Sequence, residues 1–240
     1  MSVTLASPPA DLSANGEQHF VMGRVTWDAY LKISEALEDQ PGLRLIYCDG
    51  RLAFVGKSRR HEWLSECLGH LVMGIAAQLG VPCEPAGEAT YRLHEKGAGL
   101  EGDRTFHFGA NALAMRGGEN YNFSTDPPPD LAIEVEVSHP ADDAIIAWGR
   151  AGVPEVWRFD VASSTCSFWR RRDQGNYEAI SRSECLPQIS TDDVVELVQK
   201  ARAIGVAPCL AQIPHWVDQV LRPRLSGNVP PKGSQAKKAE

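Results

Sequence analysis

Apolar positions in this chain alternate between two periods, and the changes of period mark its elements. Residues 1–22 follow neither period and read as a loose leader. Thr26 can N-cap a helix to about Glu38, with Trp27, Tyr30, Leu31 and Leu37 on its apolar side. Leu43–Cys48 and Arg51–Val55 flank Asp49-Gly50. That dipeptide predicts a tight hairpin, because Gly adopts positive φ at no steric cost. Ser58 opens a longer helix in which Leu64, Leu68, Leu71, Val72, Ile75 and Leu79 keep helical spacing, and Gly80 fits its stop.

Short strands are expected near 88–93 and 104–108, and residues 110–127 read mostly as loop, ending in three prolines. A strand over 131–137, a helix over roughly 141–150 closed by Gly152, and a strand at Val156–Phe159 follow. That order predicts two parallel strands joined by a crossover helix. Thr165–Arg170 and Tyr177–Ser181 read as a hairpin around Gly175, with helices near 191–204 and 208–222 beyond it. The fold class is α/β. The expected core is 23–185, with a C-terminal helical extension over 186–224 and a disordered tail over 225–240.

Composition narrows the classes of function. The formal charge of −7 argues against holding nucleic acid through a generally basic surface. A nuclease remains open, because metal-binding carboxylates make such a site acidic. Local basic clusters stand at Lys57-Ser58-Arg59-Arg60 and Arg170-Arg171-Arg172. None of the six cysteines falls in a CxxC pair, so a structural zinc site is not expected. No apolar run is long enough to span a membrane, and no signal peptide is evident, so the expected compartment is the cytoplasm.

The most unusual chemistry lies in Ile133-Glu134-Val135-Glu136-Val137. Side chains alternate along a strand, so Ile133, Val135 and Val137 share one face and Glu134 and Glu136 the other. Two carboxylates about 7 Å apart on an interior strand repel each other and resist desolvation. A divalent cation is the usual remedy, since hard cations take carboxylate oxygens. The bland alternative for Glu134 is pairing with an arginine.

Four segments carry a resemblance: LRLIYCDGRLAFVGKSRRHE (43–62), GLEGDRTFHFG (99–109), PPPDLAIEVEVS (127–138) and AGVPEVWRFD (151–160). In order and spacing they resemble the Uma-two family of restriction-endonuclease-like proteins, within the PD-(D/E)XK nuclease superfamily, over roughly residues 25–185. The resemblance implies a restriction-endonuclease-like mixed β-sheet flanked by helices, here with an added N-terminal hairpin and C-terminal helices. It also implies carboxylates that hold Mg²⁺ (or Mn²⁺) for hydrolysis of DNA phosphodiesters. By position, Asp103 matches the acid of the first active-site strand and Glu134 that of the second. A hairpin-like pairing of their strands would bring them together.

Glu136 is a further catalytic candidate, and Glu62, in the first turn of the long helix, a candidate outer metal ligand; the helix dipole alone also favours a Glu there. Lys57, Arg59, Arg60 and His61 are candidate nucleic-acid contacts, although basic residues beside a helix start are often simply solvated.

The chain departs from the family pattern at three places. Glu136 stands where the superfamily places a lysine, and Ala144 where many members carry a basic residue on the following helix. Gly102 replaces the usual proline before the first acid. Lys57 and Lys96 are the candidates to substitute for the lysine in space.

Three expectations follow. The first is a Mg²⁺-dependent DNA endonuclease, for which a homodimer suits the cutting of both strands. The second is a catalytically inactive relative that binds DNA or protein. The third is a nuclease of RNA or branched DNA.

Overall fold

A computed structural model describes residues 18–38, 40, 42–87, 90–118, 121–122, 125–137 and 142–227. Two sheets share one molecule. The first runs β1 (Gln18–Met22), β3 (Arg51–Gly56), β2 (Leu43–Cys48), β6 (Ala98–Glu101), β5 (Thr90–Leu93), all neighbours antiparallel. The second runs β11 (Tyr177–Ile180), β10 (Thr165–Arg171), β9 (Glu155–Asp160), β8 (Leu131–Glu136), β7 (Arg104–Phe108), β4 (Cys83–Gly87). In it only β8 and β9 pair in parallel, joined by helix α4 (Asp142–Ala151), so the predicted crossover unit is present. The mixed sheet flanked by helices expected from the resemblance is the observed architecture.

The layers follow from the alternation of each strand. Helix α1 (Trp27–Ala36) covers one face of the first sheet, where Tyr30 packs with Leu45, Tyr47 and Leu52. The other face, with Ile46, Ala53 and Leu100, packs on α4 and on Ala132 and Val156 of the second sheet. Ile133, Val135, Trp157 and Phe159 point the opposite way, against helix α2 (Arg59–Leu79) and α5 (Thr191–Ile204). Leu197, Val198, Ile213 and Leu221 belong to that same core, so the C-terminal helices complete the main hydrophobic cluster.

Local signals place several boundaries. Asp49 and Gly50 both have positive φ, and Cys48 pairs with Arg51 across the turn. The Ser58 side chain accepts from His61 N, and Gly80 ends α2 at φ 68°. Four expectations need correction. Residues 18–22 of the expected leader form β1 against β3. The stretch read as loop from 110 contains α3 (Gly109–Met115). Strands β4 and β6 are additional: β4 carries Pro85 and a bulge, tolerated because β4 is an edge strand. The single helix expected over 208–222 is a series of short turns, α6 (Val206–Leu210), α7 (Ile213–Trp216), a π-helical stretch Val217–Leu221 and α8 (Arg222–Leu225), in which Pro208, Pro214 and Pro223 remove backbone donors. From 228 on, the expected disordered tail lies outside the described residues, as do 138–141 before α4.

Candidate active site: an acid pair closed by arginine

Antiparallel pairing of β7 with β8, Arg104 opposite Ile133, places Asp103 beside Glu134. Both carboxylates are fully buried. Arg44, inward-facing on β2 and only 3% exposed, reaches across from the first sheet. Its Nη1 donates to Asp103 Oδ1 at 2.7 Å and to Glu134 Oε2 at 2.6 Å. The other two oxygens are also taken. Asp103 Oδ2 accepts from Val135 N at 2.8 Å and lies 3.0 Å from His61 Nε2. Glu134 Oε1 accepts from Trp148 Nε1 at 2.7 Å.

Each donor is held by a different element. Trp148 projects from α4, and its indole occupies the space that a side chain at Gly102 would need; an added Cβ would lie 2.6 Å from the ring. The missing side chain at Gly102 therefore leaves the room in which the indole reaches Glu134. His61 and Ser65 descend from the first turns of α2, and Ser65 Oγ donates to Asp103 O at 3.2 Å.

The two acids differ in their affinity for a proton. Burial raises both, but at Asp103 the Arg44 charge and the bonds from His61 and Val135 N prevail and bring the carboxyl down to about 2. At Glu134 burial, with the neighbouring Asp103 charge, outweighs Arg44 and Trp148 and pushes the carboxyl up to about 7. Two buried acids sharing one guanidinium are under-compensated, so the pair retains one proton more readily than two separated carboxylates would.

The other candidates are spread around this centre. Glu136 is half-buried and bonded to Arg158 Nε at 2.6 Å, so its charge is answered on β9 and not at the acid pair. Arg158 also reaches Asp142 at 3.2 Å. Glu62 is at the rim, Oε1 3.6 Å from His61 Nδ1 and 3.9 Å from Lys57 Nζ. His61, expected among nucleic-acid contacts, is instead fully buried on Asp103, because that carboxylate supplies the partner its ring needs. Arg59 and Arg60 are exposed on the other side of the same helix. Lys96 donates to Ala151 O at 3.3 Å. In the basic run, Arg170 and Arg172 pair with Glu178 and Arg171 bonds Gly149 O, so these residues hold the hairpin edge.

Two residues of the centre were not singled out by the sequence reading: Arg44 and, as a donor, Trp148. Arg44 left a signal. It is a charge in the otherwise apolar strand LRLIYC, and a buried guanidinium requires acids.

A metal does not fit this arrangement. All four carboxylate oxygens have protein donors, and the position between the acids belongs to Arg44 Nη1. Among the described residues no three His, Cys, Asp or Glu side chains converge as a metal shell.

A family model, Uma2, described as "putative restriction endonuclease", matches residues 27–203. The chain belongs to the Uma2 family. That match takes in β2, α2, β7, β8 and α4, so all the residues of the acid centre lie within it. No curated protein matches the chain. Among solved structures it is similar to a putative nuclease belonging to DUF820 from Anabaena variabilis, at 15% identity and a TM-score of 0.47, covering 72% of this chain and 98% of the other. Among the described residues no helix is long and apolar enough to cross a membrane.

Proposed function

We propose that this Uma2-family protein is a non-cleaving relative that keeps the nuclease scaffold, binds nucleic acid, and holds its acid pair with an internal cation. The observation that carries this reading is Arg44 Nη1 lying within 2.7 Å of both Asp103 and Glu134. A guanidinium is permanently charged and presents fixed donors, so it answers carboxylates without exchanging with solvent. Mg²⁺ gives up its water reluctantly and needs oxygens free to receive it. To enter here it would have to displace a buried arginine and break bonds from Trp148, Val135 N or His61. Glu136 and Ala144, at the two usual places for the basic residue, support the same reading.

The test is calorimetric titration of Mg²⁺ and Mn²⁺ into wild type and Glu134→Gln, alongside a DNA cleavage assay on both. The expected result is no binding heat and no cutting by either protein. Metal binding and metal-dependent cutting by wild type, both lost in Glu134→Gln, would sink it.

That outcome would establish a second reading, favoured by the β7–β8 register that brings Asp103 and Glu134 within reach of one atom. In it the protein is a Mg²⁺- or Mn²⁺-dependent DNA endonuclease. Asp103 and Glu134 would be ligands once Arg44 has withdrawn, with Glu62 at the rim, the nearly buried Lys57 side chain 3.9 Å from it, and Glu136 bonded to Arg158. The metal would supply an activated water and offset phosphate charge. Cutting both strands of a duplex would then call for a homodimer.

A further inference from the structure

The first two turns of α2 present different chemistry on two sides. His61 and Ser65 turn inward to Asp103. Arg59, Arg60 and Trp63 lie on the other side, since residues one and four positions apart from Arg59 fall within about a quarter-turn of it at 3.6 residues per turn. With Ala201, Arg202 and Gly205 at the end of α5 they line an open groove of about 640 Å³. The Arg202 guanidinium lies 5.8 Å from the centre of the Trp63 ring. Arg60 Nη2 donates to Val161 O at 3.3 Å, and the residue lines the groove.

Several other arginines of this acidic chain hold carboxylates, Arg44 on Asp103 and Glu134, Arg104 on Glu66, Arg158 on Glu136 and Arg224 on Asp193, while Arg92, Arg171 and Arg182 are each spread out singly on a hydroxyl or carbonyl oxygen. Among the described residues, Arg59, Arg60 and Arg202 are in no ion pair, yet all three border one cavity. Three like charges gathered without acids raise the local potential and attract a polyanion. Trp63, half-buried, adds a flat apolar wall among them. Guanidiniums around an aromatic wall are the means by which proteins hold single strands, phosphates on the charges and a base on the ring. An unpaired base is free to meet the Trp63 ring, whereas a base already paired and stacked inside a duplex is not.

We infer that the groove between α2 and α5 binds a single nucleic-acid strand, with backbone phosphates on Arg59, Arg60 and Arg202 and a base against Trp63. This rests on the reading of the protein as a nucleic-acid binder, and it locates that binding on the side of α2 away from the acid pair.

The test is fluorescence anisotropy with a labelled oligothymidylate, and with a duplex of the same length, at several salt concentrations in EDTA. Wild type is compared with Arg59→Ala/Arg202→Ala and with Trp63→Leu, whose folding is checked by circular dichroism. The wild type should prefer the single strand. The double variant should bind it about tenfold more weakly, with a log–log salt slope smaller by about 0.7 for each phosphate left without its arginine. Trp63→Leu should weaken binding about tenfold with the slope unchanged, the signature of missing base stacking. The inference is overturned if wild type binds no strand at low salt, if it prefers the duplex, or if the folded double variant binds like wild type. EDTA keeps this separate from the metal question. Cutting in Mg²⁺ would overturn the non-cleaving reading and leave the groove standing, whereas an indifferent double variant would do the reverse.

Discussion

Arginine is used in two opposite ways on either side of α2. Arg44 is almost wholly buried and bonded to two fully buried carboxylates. Arg59, Arg60 and Arg202 border open solvent, hold no carboxylate among the described residues, and gather around a tryptophan. The inner arginine is a structural counter-charge whose worth comes from desolvation. The outer three add little to the fold, because exposed charges are well solvated without partners. Charge type therefore says little about role until burial and partners are known.

The largest effect is expected at Arg44. Arg44→Met should destabilise the protein by about 3–5 kcal/mol in urea denaturation, because it leaves buried acids uncompensated. Adding Asp103→Asn and Glu134→Gln should recover much of that loss. If Arg44→Met alone were neutral, the inner arginine would be no different in kind from the outer ones.

Stability against pH comes next. Glu134 holds its proton up to about 7, well above its ordinary 4.5. A raised carboxyl means that the folded state binds more protons than the unfolded state in this window. Its contribution is therefore complete below about 4.5 and is lost as pH rises through about 7. Asp103 works in the opposite sense, its contribution being lost only as pH falls toward about 2. Denaturation midpoints should decline from pH 4.5 to 7.5 in wild type, and Glu134→Gln should flatten that decline.

Trp148→Phe keeps a ring against Gly102 but deletes the donor to Glu134 Oε1. It should cost about 1–3 kcal/mol, the penalty for leaving a buried acceptor unsatisfied. The smallest effect is expected in the groove, where Arg59→Ala and Arg202→Ala should each change stability by no more than about 0.5 kcal/mol. A larger loss there would mean that these arginines serve the fold, which would erase the contrast with Arg44.

Much of the scaffold was legible because it is written locally. Asp49-Gly50 demanded a tight turn, and the two residues have the positive φ it needs. Ser58 and Gly80 bracket α2 because capping depends on residues a few positions apart. The short strands β4 and β6 were not legible, since Pro85 and Gly99 disfavour strands and only neighbouring β7, β2 and β5 impose the extended conformation. Gly99 in particular is extended against the Tyr30 ring, which fills the space a side chain would take.

At the site, the sequence by itself determined that Glu134 carries charge into an apolar strand, and the resemblance set Asp103, just before the strand at 104–108, beside it as a candidate. It also determined that Glu136 and Ala144, and no lysine, stand at the two positions where the resemblance implies a basic residue. Which cation would answer those acids was decided only by the tertiary structure, through an arginine 59 residues from one acid and 90 from the other. The physical reason is that burial removes water as a counter-charge. The balance is then set by whichever charge lies within a few ångströms, and here the packing of one sheet over another puts Arg44 in that position.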